Sequence, residues 1–112
     1  MPSKDAEAAL RDILHHIDLA VGFLAGLDGT AFKSDIKTVY AVTRCLEIIS
    51  EASRRLPEDL KVRHAGIGWR QMAAAGNIYR HDYEDVAAGL VWETVKQALP
   101  PLRLVIQTEL SA

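Results

Sequence analysis

The chain has 112 residues, of which 49% are apolar and 25% charged, with a formal net charge of −2, the balance of an ordinary globular protein. It has no run of 18 apolar residues, which excludes a conventional membrane-spanning helix, and the slightly acidic total argues against nucleic-acid binding driven by bulk charge. The single cysteine, Cys45, excludes an intrachain disulfide. With an N-terminal stretch MPSKDAEAAL unlike a signal peptide, a cytoplasmic protein is the simplest expectation.

The first predicted element is the clearest. Leu10, Ile13, Leu14, Ile17, Val21 and Leu24 follow the three-and-four spacing of one helical face. Ser3 is a suitable N-cap, and the helix should stop near Gly26, before the Asp28-Gly29 turn. A second helix is expected from about Thr30 to Arg55. Its stripe of Ile36, Val39, Tyr40, Thr43, Leu46, Ile49 and Ser50, thickened by Val42, Cys45 and Ala52, is too wide for one neighbour. Such a helix belongs in the middle of a bundle or has one face against another subunit. Leu56-Pro57 ends it, since the residue before proline disfavours helix.

Residues 57–66 read as a polar connector with room for one helical turn at Glu58 to Val62. A third helix starts near Ile67-Gly68-Trp69, with Trp69, Met72, Ala73 and Gly76 on one face, and fades between Tyr79 and Tyr83. Ala73-Ala74-Ala75-Gly76 has no bulk and admits close approach of another backbone. A fourth helix begins near Val86, with Leu90 or Val91, Val95 and Ala98 inward and Trp92 one step away. Pro100-Pro101 should break or kink it before Leu102, Val105, Ile106 and Leu110 resume the pattern. No window alternates like a strand. The expected architecture is all-α, a four- to five-helix up-down bundle forming one domain over residues 1–112.

Charge is unevenly distributed. Residues 54–80 carry Arg54, Arg55, Lys61, Arg63, Arg70 and Arg80 against Glu58 and Asp59, whereas the two ends are acidic. No Gly-rich phosphate loop is present, and no serine sits in a nucleophile-elbow context. His15 and His16 are adjacent and point about 100° apart on a helix, and neither His64 nor His81 has a partner at metal-ligand spacing, so no metal or other cofactor is expected. Asp82, Glu84 and Asp85 read as negative charge at the start of the fourth helix, favourable to its dipole.

Chemistry concentrates in Asn77-Ile78-Tyr79-Arg80-His81-Asp82-Tyr83. Asn77 and His81, four apart, share a helical face. An imidazole that moves protons, a guanidinium that neutralises phosphate oxygens, an amide and a phenol suit a phosphodiester substrate.

Several segments, in order, resemble one family. Leu10 to Ile17, Phe32 with Asp35, and Leu46-Glu47-Ile48-Ile49-Ser50-Glu51-Ala52 (a "LeiIGEA" stretch) come first. Ile67-Gly68-Trp69 ("ipW"), Asn77 with His81-x-Tyr83 ("RNxxxHxY"), Val91 to Val95 and Leu99-Pro100-x-Leu102 ("vWxxV…lPxL") follow. On these residues the chain is similar to the HepT-like family, also described as DUF86, of the HEPN superfamily. The resemblance implies a homodimeric HEPN-like bundle and a metal-independent endoribonuclease, the toxin of a toxin–antitoxin pair. It implies an MNT-type nucleotidyltransferase antitoxin that adds AMP to the motif tyrosine. His81 would be the catalytic histidine, Asn77 the supporting asparagine and Tyr83 the modified tyrosine. The chain departs from the motif at the arginine before Asn77, where Gly76 stands. Arg80 beside His81, or Arg70 three turns earlier, would have to supply the cation, in the same or the partner subunit. The alternative is a non-catalytic dimer that binds a nucleotidyltransferase or RNA through the same surface. A third is a structural helical dimer with an unrelated ligand.

Overall fold

The computed structural model describes residues 3–81 and 84–112. The expected first helix is α1, Lys4–Leu24; the Ser3 side chain accepts from the Ala6 amide, and Gly26 carries the chain out through a φ of 81° that favours glycine. The single helix expected over residues 30–55 is two. A short α2, Gly29–Ser34, is capped by Asp28, and α3 runs from Ile36 to Arg54. Asp35 makes the break. Its carboxylate accepts from the Thr38 amide at 3.2 Å and from the Thr38 hydroxyl at 2.9 Å, so the residue caps a new helix instead of continuing the old one. Phe32 of α2 is fully buried and lies 5.5 Å from the Trp92 ring.

The Pro57 turn leads to α4, Glu58–Arg63, slightly longer than the one turn expected, and then to α5, Trp69–His81. The Trp69 indole donates to the carbonyls of Lys61 and His64, tying the start of α5 to the end of α4. Next comes α6, Glu84–Glu93.

Pro100-Pro101 neither breaks nor ends the last helical stretch. A five-residue π turn, Thr94–Ala98, separates α6 from α7, Leu99–Ser111, and the Leu99 amide donates to the Thr94 carbonyl five residues back. The prolines thereby fall in the first turn of α7, where a missing N–H is tolerated, and the widened turn before them relieves the clash of a proline ring with the preceding carbonyls.

Helix α3 is central, packing on α1 and α5 with smaller contacts to α2 and α6, while α7 packs along α1. Arg55 at the end of α3 bonds Asp12 in the middle of α1, and Arg103 near the start of α7 bonds Asp18 two turns further along it. The core is filled by Leu10, Ile13, Ile17, Phe32, Val42, Leu46, Ile49, Val91, Val95, Leu102 and Ile106, which answers the all-α bundle expected. Cys45 is buried among them, and burial pushes its thiol up from the ordinary value. Three expected inward positions are not inward. Val21, Ile36 and Tyr40 are exposed, and Val91 rather than Leu90 faces the core. Among the described residues no helix is long and apolar enough to cross a membrane.

Candidate active site on the last turns of helix α5

Helices α3 and α5 run antiparallel, and their contact is made by small and hydroxylic residues. The buried Ser50 hydroxyl donates to the Ala73 carbonyl at 2.8 Å, and one Arg54 nitrogen donates to the same carbonyl at 2.9 Å. Three residues on, Gly76 is buried against α3. A Cβ placed there would stand 3.4 Å from Ser50 Oγ, 3.6 Å from Ser50 Cβ and 3.8 Å from Glu47 Cα. The glycine therefore sets how closely the two helices approach. It also means that no side chain leaves α5 at the position where the family motif carries arginine.

The backbone of Asn77, Arg80 and His81 continues the same helix, so Asn77 and His81 occupy one register face, a single turn apart. Their side chains lie outside the described part of the structure, as does Tyr83 entirely. Arg70 is exposed in the first turn of α5, beside a groove shared with Glu58, Lys61, Val62 and Trp69. Eleven residues separate it from His81, about 16 Å of helical rise, so the two do not meet within one chain. Arg44 of α3 stands three residues, about one turn, before Glu47. It is exposed and loosely paired to Glu47 at 3.8 Å.

A second polar cluster, at the other end of the bundle, escaped the sequence reading. Glu109 of α7 accepts from Arg63 at 2.7 Å and from His64 at 2.7 Å, and Arg63 also pairs with Asp59 at 3.2 Å. The hydrogen bond from Arg63, and then that with His64, holds the Glu109 carboxyl below the usual carboxylate range. His64 and Glu109 stand 45 positions apart, so no local spacing could have paired them. The cluster joins the end of α4 to the end of α7 and closes the bundle where the chain's two ends meet. Among the described residues no group of three or more His, Cys, Asp or Glu is arranged to hold a metal ion.

Comparison with known proteins bears directly on this helix. The family model described as "Ribonuclease HepT-like" matches residues 13–109, a span that includes α5 and both flanking motifs. The chain is 40% identical over 94 residues to "Probable ribonuclease HepT" of Thermococcus cleftensis, covering 84% of this chain and 86% of that one. It is 34% identical over 103 residues to "Putative RNase MJ0125" of Methanocaldococcus jannaschii, covering 92% and 89%. A further protein of that organism, "Putative RNase MJ1380", is 32% identical over 107 residues, covering 96% and 98%. No solved structure matches the chain significantly. With a central α3, an antiparallel α5 that carries Asn77 and His81, and a family match across 13–109, the chain belongs to the HepT-like ribonuclease family.

Proposed function

We propose that the protein is a metal-independent endoribonuclease, the toxin of a toxin–antitoxin pair, and that a nucleotidyltransferase partner neutralises it. The observation that carries this reading is His81 in α5, one turn beyond Asn77, in a chain of the ribonuclease HepT-like family. In this reading His81 takes the proton of an RNA 2′-hydroxyl as O2′ attacks the adjacent phosphorus and the 5′-oxygen departs. Arg80 holds the charge that develops on the phosphorane oxygens, Asn77 orients the phosphate, and Arg70 lies on the path of the strand. No cofactor takes part. Addition of AMP to Tyr83, two residues from His81, places a bulky anion in the path of the substrate and closes the site. The toxin acts as a homodimer in the cytoplasm, where a cation from one subunit can serve the other's site.

A second reading has specific support in Gly76, whose backbone is committed to the α3 contact and which offers no cation. In that reading the dimer binds a nucleotidyltransferase or RNA through the same surface without cutting. Purified wild type and His81→Ala, incubated with cellular RNA in the presence of a chelator, separate the two. Cleavage by wild type alone supports the ribonuclease. Intact RNA with both refutes it and leaves the binding role. Incubation with an MNT-type nucleotidyltransferase and ATP tests the tyrosine, because a mass increase of one AMP should appear in wild type and be absent from Tyr83→Phe.

A further inference from the structure

The basic residues of positions 54–80 divide into two kinds. Arg55 is spent on Asp12 and Glu51, and Arg63 on Asp59 and Glu109. Arg54, Lys61 and Arg70 are different, because among the described residues no carboxylate pairs with any of them. Arg54 is exposed and commits one nitrogen to the Ala73 carbonyl at 2.9 Å, which leaves the rest of its guanidinium unclaimed. An unpaired cation gives up no internal partner when an anion arrives.

The fold gathers these three cations from three helices. An open groove of about 520 Å³ runs between α4 and α5, and Lys61, Val62, Trp69, Arg70 and Ala73 line it. Arg54, at the end of α3, reaches its border through the bond to Ala73. Glu58 is the one carboxylate in the lining, so the balance of charge stays positive. Between the cations the lining is apolar. Val62 is 68% exposed. The Trp69 indole N–H is already taken by the carbonyls of Lys61 and His64, so the ring can offer a ligand only its apolar surface.

Helical register ties this groove to the candidate active site. At about 100° per residue, Asn77 and His81 leave α5 within about 20° of the direction of Arg70, and His81 stands about 16 Å further along the same helix. Only Ala73 and Ala74 lie near that line between Arg70 and Asn77, so no bulky side chain bars the way. We infer that the groove of Lys61, Arg70 and Trp69, bordered by Arg54, is a subsite for the sugar–phosphate chain of single-stranded RNA, a few nucleotides away from the bond presented to His81. A polymer that alternates phosphates with flat rings matches cations set beside an indole and an aliphatic side chain. An acidic protein segment would match the cations alone and would have no need of the shared line with Asn77 and His81. The inference rests on the ribonuclease reading and adds a substrate property to it: RNA long enough to reach from His81 to the groove is held more tightly than a dinucleotide.

The test is binding of fluorescein-labelled oligouridylates to the full chain in the His81→Ala background, which separates binding from cleavage. Lys61→Ala with Arg70→Ala should weaken binding of a long oligouridylate about ten-fold at low salt. The slope of log affinity against log salt should fall by about 1.4, from two phosphate contacts on a single strand. Binding of the uridine dinucleotide should stay within about two-fold. The melting temperature should hardly move, since neither side chain has an internal partner. Lys96→Ala with Arg103→Ala, which removes the same charge on the α1 and α7 side, should leave binding of the long oligonucleotide within about two-fold. Unchanged affinity and slope in the Lys61, Arg70 variant overturn the subsite. Equal loss with the Lys96, Arg103 pair also overturns it, because bulk charge would then suffice, and equal loss for the dinucleotide overturns the placement away from His81. If the variant binds RNA as its parent does but is modified more slowly by an MNT-type nucleotidyltransferase and ATP, the groove belongs to a protein partner and the inference is wrong. If neither the parent nor wild type binds RNA of any length, the ribonuclease reading fails and takes the subsite with it.

Discussion

Gly76 is the position where packing and chemistry compete, and Gly76→Ala measures the packing half. Inside a helix, glycine costs about 1 kcal/mol relative to alanine because it loses more backbone freedom on folding. Against that gain stands the space for a methyl group. Its nearest neighbours would be Ser50 Oγ at 3.4 Å, Ser50 Cβ at 3.6 Å and Glu47 Cα at 3.8 Å, which is ordinary van der Waals contact. Ser50 cannot retreat far, since its hydroxyl is held on the Ala73 carbonyl at 2.8 Å, so a few tenths of the gain should be spent on small adjustments. The net expectation is stabilisation by about 0.5 kcal/mol, a rise of about 2–4 °C in melting temperature. Thermal and urea unfolding of wild type, Gly76→Ala, Ser50→Ala and the double variant, followed by far-UV circular dichroism, provide the measurement. Ser50→Ala alone should cost about 1 kcal/mol for the lost hydrogen bond. A fall in melting temperature with Gly76→Ala that persists in the double variant would refute the reasoning, because the helix spacing would then tolerate no side chain at all.

Gly76→Arg restores the family's motif cation. In the ribonuclease reading it should raise the rate of RNA cleavage about ten-fold or more, measured on a labelled single-stranded substrate, while lowering the melting temperature because a long side chain must leave between α3 and α5. Phe32→Ala should cost about 3–4 kcal/mol, since the ring is fully buried and anchors the short α2 against Trp92, and chemical denaturation would show it as a large drop in midpoint. Glu109→Gln tests the cluster at the chain ends. The Glu109 carboxyl is held down by Arg63 and then His64, so its stabilising effect is fully present above the ordinary carboxylate value and is lost as pH falls through the lower folded value. Wild type should therefore exceed the variant by about 1 kcal/mol at neutral pH, a figure limited by the half-exposed Arg63. Melting curves from pH 7 to pH 2 should converge at the acid end, and a constant gap would contradict the assignment.

Much of the architecture is legible along the chain because a helix repeats its environment every three to four residues. Leu10, Ile13 and Ile17 declare the buried face of α1, Ser3 its start and Gly26 its end, and each holds in the structure. The HepT-like resemblance was likewise carried by short ordered motifs, and the family match over 13–109 agrees with it. The break at Asp35 was less legible, because an aspartate inside an apolar pattern reads equally well as an exposed helical residue. Only its bonds to Thr38 show it to be a cap. The prolines misled for a related reason: they forbid a regular helix before them, but a π turn satisfies the same constraint without a break.

What the sequence by itself determined is local: helix faces, caps, the run of small residues around Gly76, and the grouping of Asn77, Arg80, His81 and Tyr83 within seven positions. Tertiary structure decided whatever depends on where one helix stops against another. Ile36 and Tyr40 share a face with Ser50 and Arg54, and periodicity assigns all four to the same neighbour. Only the second pair meets α5, at the Ala73 carbonyl, whereas Ile36 and Tyr40 lie exposed and Ser50 is buried. In the same way His64 and Glu109 are joined only because α4 and α7 finish at one end of the bundle. A helical period reports the direction a side chain points, whereas burial and pairing depend on the length and register of the partner that the chain folds against it.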